Sequence, residues 1–461
     1  RVVLLEEGPA VSRFRKNQAT TARYHMQEDA MMVARGEAFV PIAAGRGVGG
    51  GSLINSALCF RAPDPLLVDW ASRLGDDRFG PQAMGAVYDE ISELIGVGVT
   101  PEAIAGRNNQ LIVRGVAALG LEGGFAPRNT PGCRGCGVCN FGCPSNGKGS
   151  MNVTLLPRAA AAGDVRIQAD TKVVDVLVEG GRAVGVRGEA RHPDTGERVG
   201  DVVVRADRVV LSAGAIGTPR LLWHCGLAGA LGPVGDGMHI HPGNAVLGVC
   251  DEPIHLWRGA TQGAWFKHPD LPGALPHTFS APPEACLLAG GFVGSRLQEG
   301  LAMLPYLCGL LLLVSDKGSG KVRATSDGRA DLSYDWDSRD VALIKRGMVE
   351  LARVLLAGGA REVLAPVRGM RERYTDADAI GADLAPHVLA DFTMYAAHPM
   401  ATCRMGLDPA TSVVGPDGQA RGLLGLYIAD TSVFPTALGV NPQLTTMALC
   451  TTLGRGMAGA T

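Results

Sequence analysis

The chain has 461 residues, 46% of them hydrophobic and 19% charged, with 43 Lys and Arg against 45 Asp and Glu. That much apolar material supports one large domain or two interleaved ones and excludes a disordered chain. The near-neutral charge and the lack of a long basic run point away from a nucleic-acid partner, and no stretch of about 20 apolar residues is present to span a membrane.

The opening "VVLLEEGPA", Val2 to Ala10, reads as a short buried strand closed by an acid and a turn. In a dinucleotide-binding fold such an acid holds a ribose, and the phosphate-binding glycines lie about 20 residues upstream. Here nothing lies upstream of Arg1. Residues 11–40 are polar and helix-prone, with little period. "FVPIAAGRGVGGGSLIN" then contains G-x-G-x-x-G as Gly45, Gly47 and Gly50, but Pro41 stands where the feeding strand belongs. Proline disfavours an interior strand, so the expectation is a glycine loop leading into a helix from about Ser52, with backbone amides able to meet a phosphate.

"PLLVDWASRL", "QAMGAVYDEISELIG" and "NNQLIVRGVAALG" carry i, i+3, i+4 apolar spacing and predict helices between residues 62 and 130. After a cysteine-rich loop, "VTLLPRAAAAG" predicts a helix. "VRIQAD", "VVDVLVEGGRAVGVRGE" and "VVVRADRVVLSAGA" predict strands, with Gly180–Gly181 as a hairpin turn. "GTPRLLWHCGL" predicts a helix starting behind Gly217 and Pro219. Residues 243–335 alternate like a mixed sheet; the apolar run Leu304 to Val314 is too short to span a membrane and reads as a core strand. "DVALIKRGMVELARVLLAGGA" is the clearest amphipathic helix, stopped at Gly358–Gly359, and a last helix is predicted from about Pro442.

Four of the eleven cysteines fall within eleven residues, as Cys133-x2-Cys136-x2-Cys139-x3-Cys143-Pro144. This is the spacing of bacterial ferredoxins, and soft thiolates suit iron or zinc. In two-cluster ferredoxins the fourth cysteine serves the other cluster, so a compact tetrad must bend sharply or recruit a remote cysteine. An iron–sulfur cluster, zinc, disulfides and plain thiols all stay open on spacing alone. The other seven cysteines are isolated in apolar surroundings, where buried thiols are common. His239 and His241, two apart on an expected strand, have no third ligand near in sequence and read as structural.

Several stretches, in order, resemble the glucose–methanol–choline (GMC) oxidoreductases, FAD enzymes that oxidise alcohols. They are "LLEEG", "GRGVGGGSLINSALCFR", "VEGGRAVGV", "SAGAIGTPRLLWHCGLAG" and "YAAHPMATCRMG…DTSVFPTALGVNPQLTTMA". The resemblance implies an α/β fold: a Rossmann-like FAD-binding domain interleaved with an α+β substrate domain on a mixed or antiparallel sheet. It divides the chain into 1–61, 150–242 and 396–461 for FAD, 62–149 as a helical and Cys-rich connection, and 243–395 for substrate. Members of that family begin with a strand, G-x-G-x-x-G and a helix ahead of the acid, so about 30 residues are expected to precede Arg1.

The resemblance also assigns roles. His398 is the expected base for the hydroxyl proton, and Asn441 holds the substrate oxygen. Glu6 matches the ribose acid, and Gly49, Gly50, Gly51, Ser52 and Asn55 line flavin and pyrophosphate. Val173, Ala213, Gly214, Asp430, Asn441, Pro442 and Thr445 complete the expected cofactor contacts. Cys133, Cys136, Cys139 and Cys143 resemble both the cluster-binding loops of sugar-dehydrogenase large subunits and the Cys-rich loops of sterol and long-chain alcohol oxidases, which have no known cluster. The glycines and lysine of "CRGCGVCNFGCPSNGKGS" are more similar to the latter.

The expected function is therefore FAD-dependent oxidation of an aliphatic, sterol, sugar or aminoglycoside-like alcohol. The electron acceptor is oxygen, a quinone or a partner protein. One alternative is a flavin/iron–sulfur dehydrogenase feeding a partner; another is a non-catalytic flavoprotein scaffold. Trp257, Trp265 and Tyr306 are candidates for the substrate wall, and a cytoplasmic location is expected.

Overall fold

The structure, a computed structural model, describes residues 1–11, 14 and 17–459. Of the helix-prone stretch 11–40, Ser12, Arg13, Arg15 and Lys16 lie outside the described residues, as do Ala460 and Thr461.

Two large apolar cores organise the molecule. The first gathers Trp70, Tyr88, Val209, Leu211, Leu222, Ile428, Phe434 and Leu449. It is built on helices Asp64–Leu74, Pro81–Ile95, Gly214–His224 and Gln443–Ala458, with the strands Val209–Leu211 and Leu426–Ile428 paired in parallel. The helix Pro81–Ile95 shows why these segments fold as they do. Pro81 supplies a preset φ in the first turn, and Gly96 ends the helix in the left-handed region at φ 69°. Met84, Tyr88, Ile91 and Ile95 form its buried stripe.

The second core joins two sheets. One has five strands in the order Asp236–Met238, Ser319–Ala324, Ala330–Asp335, Val33–Arg35, Val40–Pro41; it is mixed, because Ala330–Asp335 runs parallel to Val33–Arg35. The other has six antiparallel strands, in the order Glu362–Leu364, Ala245–Val249, Leu307–Leu311, His277–Thr278, Ala264–Phe266, Gly123–Phe125. Helix Ser338–Gly358 packs on it, capped by the Asp337 carboxylate accepting from Arg339 N–H at 2.8 Å and stopped by Gly359. This is the α/β architecture with mixed and antiparallel sheets that the resemblance implies. The helices of residues 62–118 divide between the bodies: Asp64–Leu74 and Pro81–Ile95 join the first core, and Arg107–Ala118 joins the second. Pro41 is tolerated because Val40–Pro41 is an edge strand.

Three local expectations are corrected. Val2–Leu5 forms a strand, but Val2 and Val3 are exposed; among the described residues it pairs only with Val165–Gln168. No α-helix starts at Ser52. Gly50–Leu53 makes a single 3-10 turn, and Ala57 at φ 66° sends the chain away. The helix after the second glycine signature begins at Gly214, placing Pro219 inside it. Proline removes the N–H that would bond the Ala215 carbonyl; the Thr402 hydroxyl donates to that carbonyl instead, at 2.7 Å. The Gly180–Gly181 hairpin forms as expected, with φ of 56° and 75° suiting a type I′ turn.

Candidate active site

Two glycine-bearing segments face open space. A Cβ added at Gly50, Gly51 or Gly214 would meet no atom within 4 Å, whereas one at Gly45, Gly47 or Gly49 would strike neighbouring atoms. The first three leave room for a ligand to approach the backbone, and the others fix the shape of the turn. Glu6 is tied to the same turn: its Oε1 accepts from Gly8 N–H at 2.8 Å and from Gly47 N–H at 2.9 Å. Burial pushes its carboxyl up to about 7, against those two hydrogen bonds. Val173 lies on the strand that starts beside this acid, where Thr171 N–H donates to the Glu6 carbonyl at 2.8 Å. Ser52 fixes the turn internally: its hydroxyl donates to Gly49 O at 2.6 Å and accepts from Met151 N–H at 3.0 Å. Asn55 donates to Gln443 at the start of the last helix.

Asp430 joins the second glycine segment to the C-terminal block. It accepts from Gly214 N–H at 2.9 Å, the Thr218 hydroxyl at 2.6 Å and Ser432 N–H at 2.7 Å. Burial raises its pKa even against these bonds. Ala213 lies at the foot of the same helix, and Pro442 caps the last one. Thr445 is buried, and its hydroxyl pairs with Tyr88 OH at 2.9 Å, which locks two helices of the first core together.

His398 and Asn441 come together from segments 43 residues apart. Asn441 Nδ2 lies 3.4 Å from His398 Nε2, and Asn441 Oδ1 is buried without a hydrogen-bond partner. Burial holds the His398 pKa well below 6.5, and His241 and His277 push it further down. His398 is thus a neutral imidazole, able to accept a proton. Burial also lowers both neighbours, to about 4 each.

His241 lies past the end of the strand expected for it and binds the backbone of the segment that carries Asn441. Its Nε2 accepts from Gly439 N–H at 2.9 Å, and its ring meets that of His398 edge-on, with centroids 5.5 Å apart. Its backbone is left-handed at φ 49°, a strained position for a residue with a side chain. The buried Asp316 carboxylate holds it there, accepting from Ile240 N–H at 3.0 Å, His241 N–H at 3.2 Å and Tyr334 OH at 2.7 Å. Asp316, 75 residues away in sequence, had no local pattern to announce it. Of the three aromatic wall candidates, Trp265 packs edge-on against Phe60, the Trp257 carbonyl backs Gly137 of the cysteine loop, and Tyr306 is exposed.

The cysteine loop lies against the glycine turn. Lys148 is buried, and its ammonium donates to Leu53 O and Asn55 O at 2.9 Å each and to Cys139 O at 3.2 Å. Burial lowers its pKa to about 8, while Cys139 and Cys143 pull the other way. Arg128, also buried, donates to Ser56 O and to Cys139 Sγ, the latter at 3.2 Å. Burial alone would raise the Cys139 thiol, but Arg128 and Lys148 outweigh it and hold it below its ordinary value. Arg128 was not read from the sequence, where it stands five residues before the first cysteine of the loop.

A glycine turn tied to a buried acid, together with a neutral histidine–amide pair, is in keeping with an FAD-dependent oxidoreductase acting on a CH–OH group. The comparisons carry this to a family. Models of the GMC oxidoreductase family match residues 22–243 and 316–450. An uncharacterized GMC-type oxidoreductase of Mycobacterium tuberculosis is 34% identical over 457 residues, covering 97% of this chain and 70% of the relative. The chain belongs to the GMC oxidoreductase family. A long-chain-alcohol oxidase of Arabidopsis thaliana is 27% identical over 435 residues, covering 88% of this chain and 57% of the plant protein. In fold, the chain is similar to pyridoxine 4-oxidase from Mesorbium loti, with a TM-score of 0.74 at 18% identity over 100% of this chain and 94% of that one. Among the described residues no helix is long and apolar enough to cross a membrane.

Proposed function

We propose that His398 is the base and Asn441 the oxygen-holding residue in oxidation of a primary alcohol with an apolar body. The observation that carries this is the 3.4 Å approach of Asn441 Nδ2 to His398 Nε2, with Asn441 buried, His398 half-buried and the imidazole held neutral. When bound, FAD supplies the hydride acceptor for the carbinol carbon. The substrate hydroxyl enters between the two side chains. It accepts from Asn441 Nδ2 and donates to His398 Nε2, which takes the proton as the carbonyl forms. The network Asp316–His241–Gly439 fixes the segment that carries Asn441.

We assign the cradle of Gly49, Gly50, Gly51, Ser52, Asn55, Ala213 and Gly214 to FAD, with Glu6 and Val173 toward the ribose and adenine end and Asp430 and Pro442 toward the flavin. Residues 243–395 are the substrate side. The apolar body is supported by the likeness to a plant long-chain-alcohol oxidase. In the sheet, Leu311 is the register partner of His277. The cofactor set we propose also includes a metal at the cysteine loop, on the convergence of its four cysteines on one cavity.

The test is anaerobic mixing of the FAD-loaded, full-length protein with straight-chain primary alcohols of increasing length. Bleaching of the flavin bands at concentrations that fall as the chain lengthens is expected. Bleaching by polyols alone would overturn the substrate class, and no bleaching by any alcohol would overturn the reaction.

A further inference from the structure

The cysteine loop bends three times within eleven residues. Gly135, Gly137 and Gly142 adopt φ of 63°, 70° and 88°, and at Gly137 a Cβ would strike the Trp257 carbonyl. These turns bring Cys133, Cys136, Cys139 and Cys143 to the lining of one small cavity. The sharp bend that a compact tetrad requires is thus built into the backbone.

The cavity is electropositive. Lys148 is buried with all three of its hydrogen bonds going to carbonyls, and Arg128 is buried with Nη1 lacking any partner. Neither cation pairs with a carboxylate. Two buried positive charges without acids are costly unless an anionic group lies beside them. Four thiolates around a metal centre supply that group.

The spacing of the sulfurs argues against a single zinc. Four thiolates on one zinc, at about 2.3 Å each, lie roughly 3.8 Å from one another. Among the described residues, the set of three or more metal-type ligand atoms lying within 4.8 Å of one another is His268, Asp270 and Glu350. No three of the cysteine sulfurs are that close. A cluster with several irons places its thiolates at its outer corners and needs the wider spacing. Its sulfurs also take outer hydrogen bonds, as Cys133 Sγ does from Gly135 N–H at 3.4 Å and Cys139 Sγ from Arg128.

We infer that Cys133, Cys136, Cys139 and Cys143 hold one four-iron, four-sulfide cluster, with Arg128 and Lys148 as its buried counter-charges. This rests on the reading of the loop as a metal site. In its oxidised resting form such a cluster with four thiolates carries a net charge of about −2, matching the two cations. The three carbonyls that hold Lys148 put this centre against the Gly50–Asn55 turn.

The test is iron, zinc and acid-labile sulfide per chain in full-length, FAD-loaded protein purified anaerobically, with a paramagnetic spectrum after dithionite reduction. About four irons and four sulfides are expected, with a new signal on reduction. One zinc without sulfide would overturn the cluster but keep the metal site. No metal, even after incubation with iron and sulfide, would overturn both. Cys143→Ser should lower iron at least twofold while FAD content, the check on folding, is retained; full iron in that variant would overturn the assignment. Lys148→Met should lose more iron than Lys148→Arg. Flavin bleaching by alcohol is read separately, so failure of the cluster and failure of the proposed reaction are distinguishable.

Discussion

The histidine–amide site and the cysteine loop both combine buried and half-buried groups, yet burial acts on them in opposite senses. Around His398 it strips charge: three imidazoles are held neutral, and Asp316 nearby is fully engaged by backbone N–H groups and Tyr334. In the cysteine loop two cations are kept without acid partners, and both favour the ionised form of Cys139. The first arrangement suits a proton acceptor working at neutral pH; the second suits a bound anion. Composition alone does not separate the two. The counter-charges do.

The contrast can be broken most forcefully at His398. His398→Ala should slow alcohol-driven flavin reduction by about 10³-fold while FAD and iron content stay at wild-type levels, since the lost step is base catalysis. Stopped-flow reduction with parallel metal analysis checks it, and an unchanged rate would remove the base from the account. Asn441→Ala should cost about 10² in the same rate, the size of losing one positioned hydrogen-bond donor. If Asn441 were merely a turn residue, thermal stability would fall and the rate would not.

Asp316→Asn should act through the strained His241 backbone. A reduction rate about tenfold lower is expected, with the spectrum of bound flavin intact. A variant with wild-type rate would detach this network from the site.

The smallest expected effect is at Glu6. Its folded pKa of about 7 lies above the 4.5 of a free carboxyl, so its contribution to stability is present below 4.5 and is lost as pH rises through 7. Glu6→Gln should therefore raise the apo-protein Tm at pH 8, leave it little changed at pH 4, and weaken FAD binding.

Much of this was legible in the sequence because it is local. The amphipathic stripe of Ser338–Gly358 and the Gly180–Gly181 turn follow from periodicity and positive φ. Ser52 marked the start of a helix by pattern, but the Ala57 conformation and the Lys148 contacts to Leu53 and Asn55 draw the chain into a single 3-10 turn. Helix Gly214–His224 tolerates Pro219 because Thr402, nearly 190 residues on, supplies the missing hydrogen bond. Distance in sequence likewise hides Asp316 and Gln443, 75 and 388 residues from the groups they hold. Each acts on a partner that no short stretch contains, so type and spacing reveal the thiols and the histidine but not the charges and carboxylates that tune them.

The most direct test of His398 as a neutral base is the pH dependence of anaerobic flavin reduction by a saturating primary alcohol. With its pKa held below 6.5, protonation on the acid side removes the acceptor, so the rate should be flat from about pH 7 upward and fall only below 6.5. A half-maximal point at or above 6.5 that disappears in His398→Ala would mean that the imidazole is solvated, and would contradict the account.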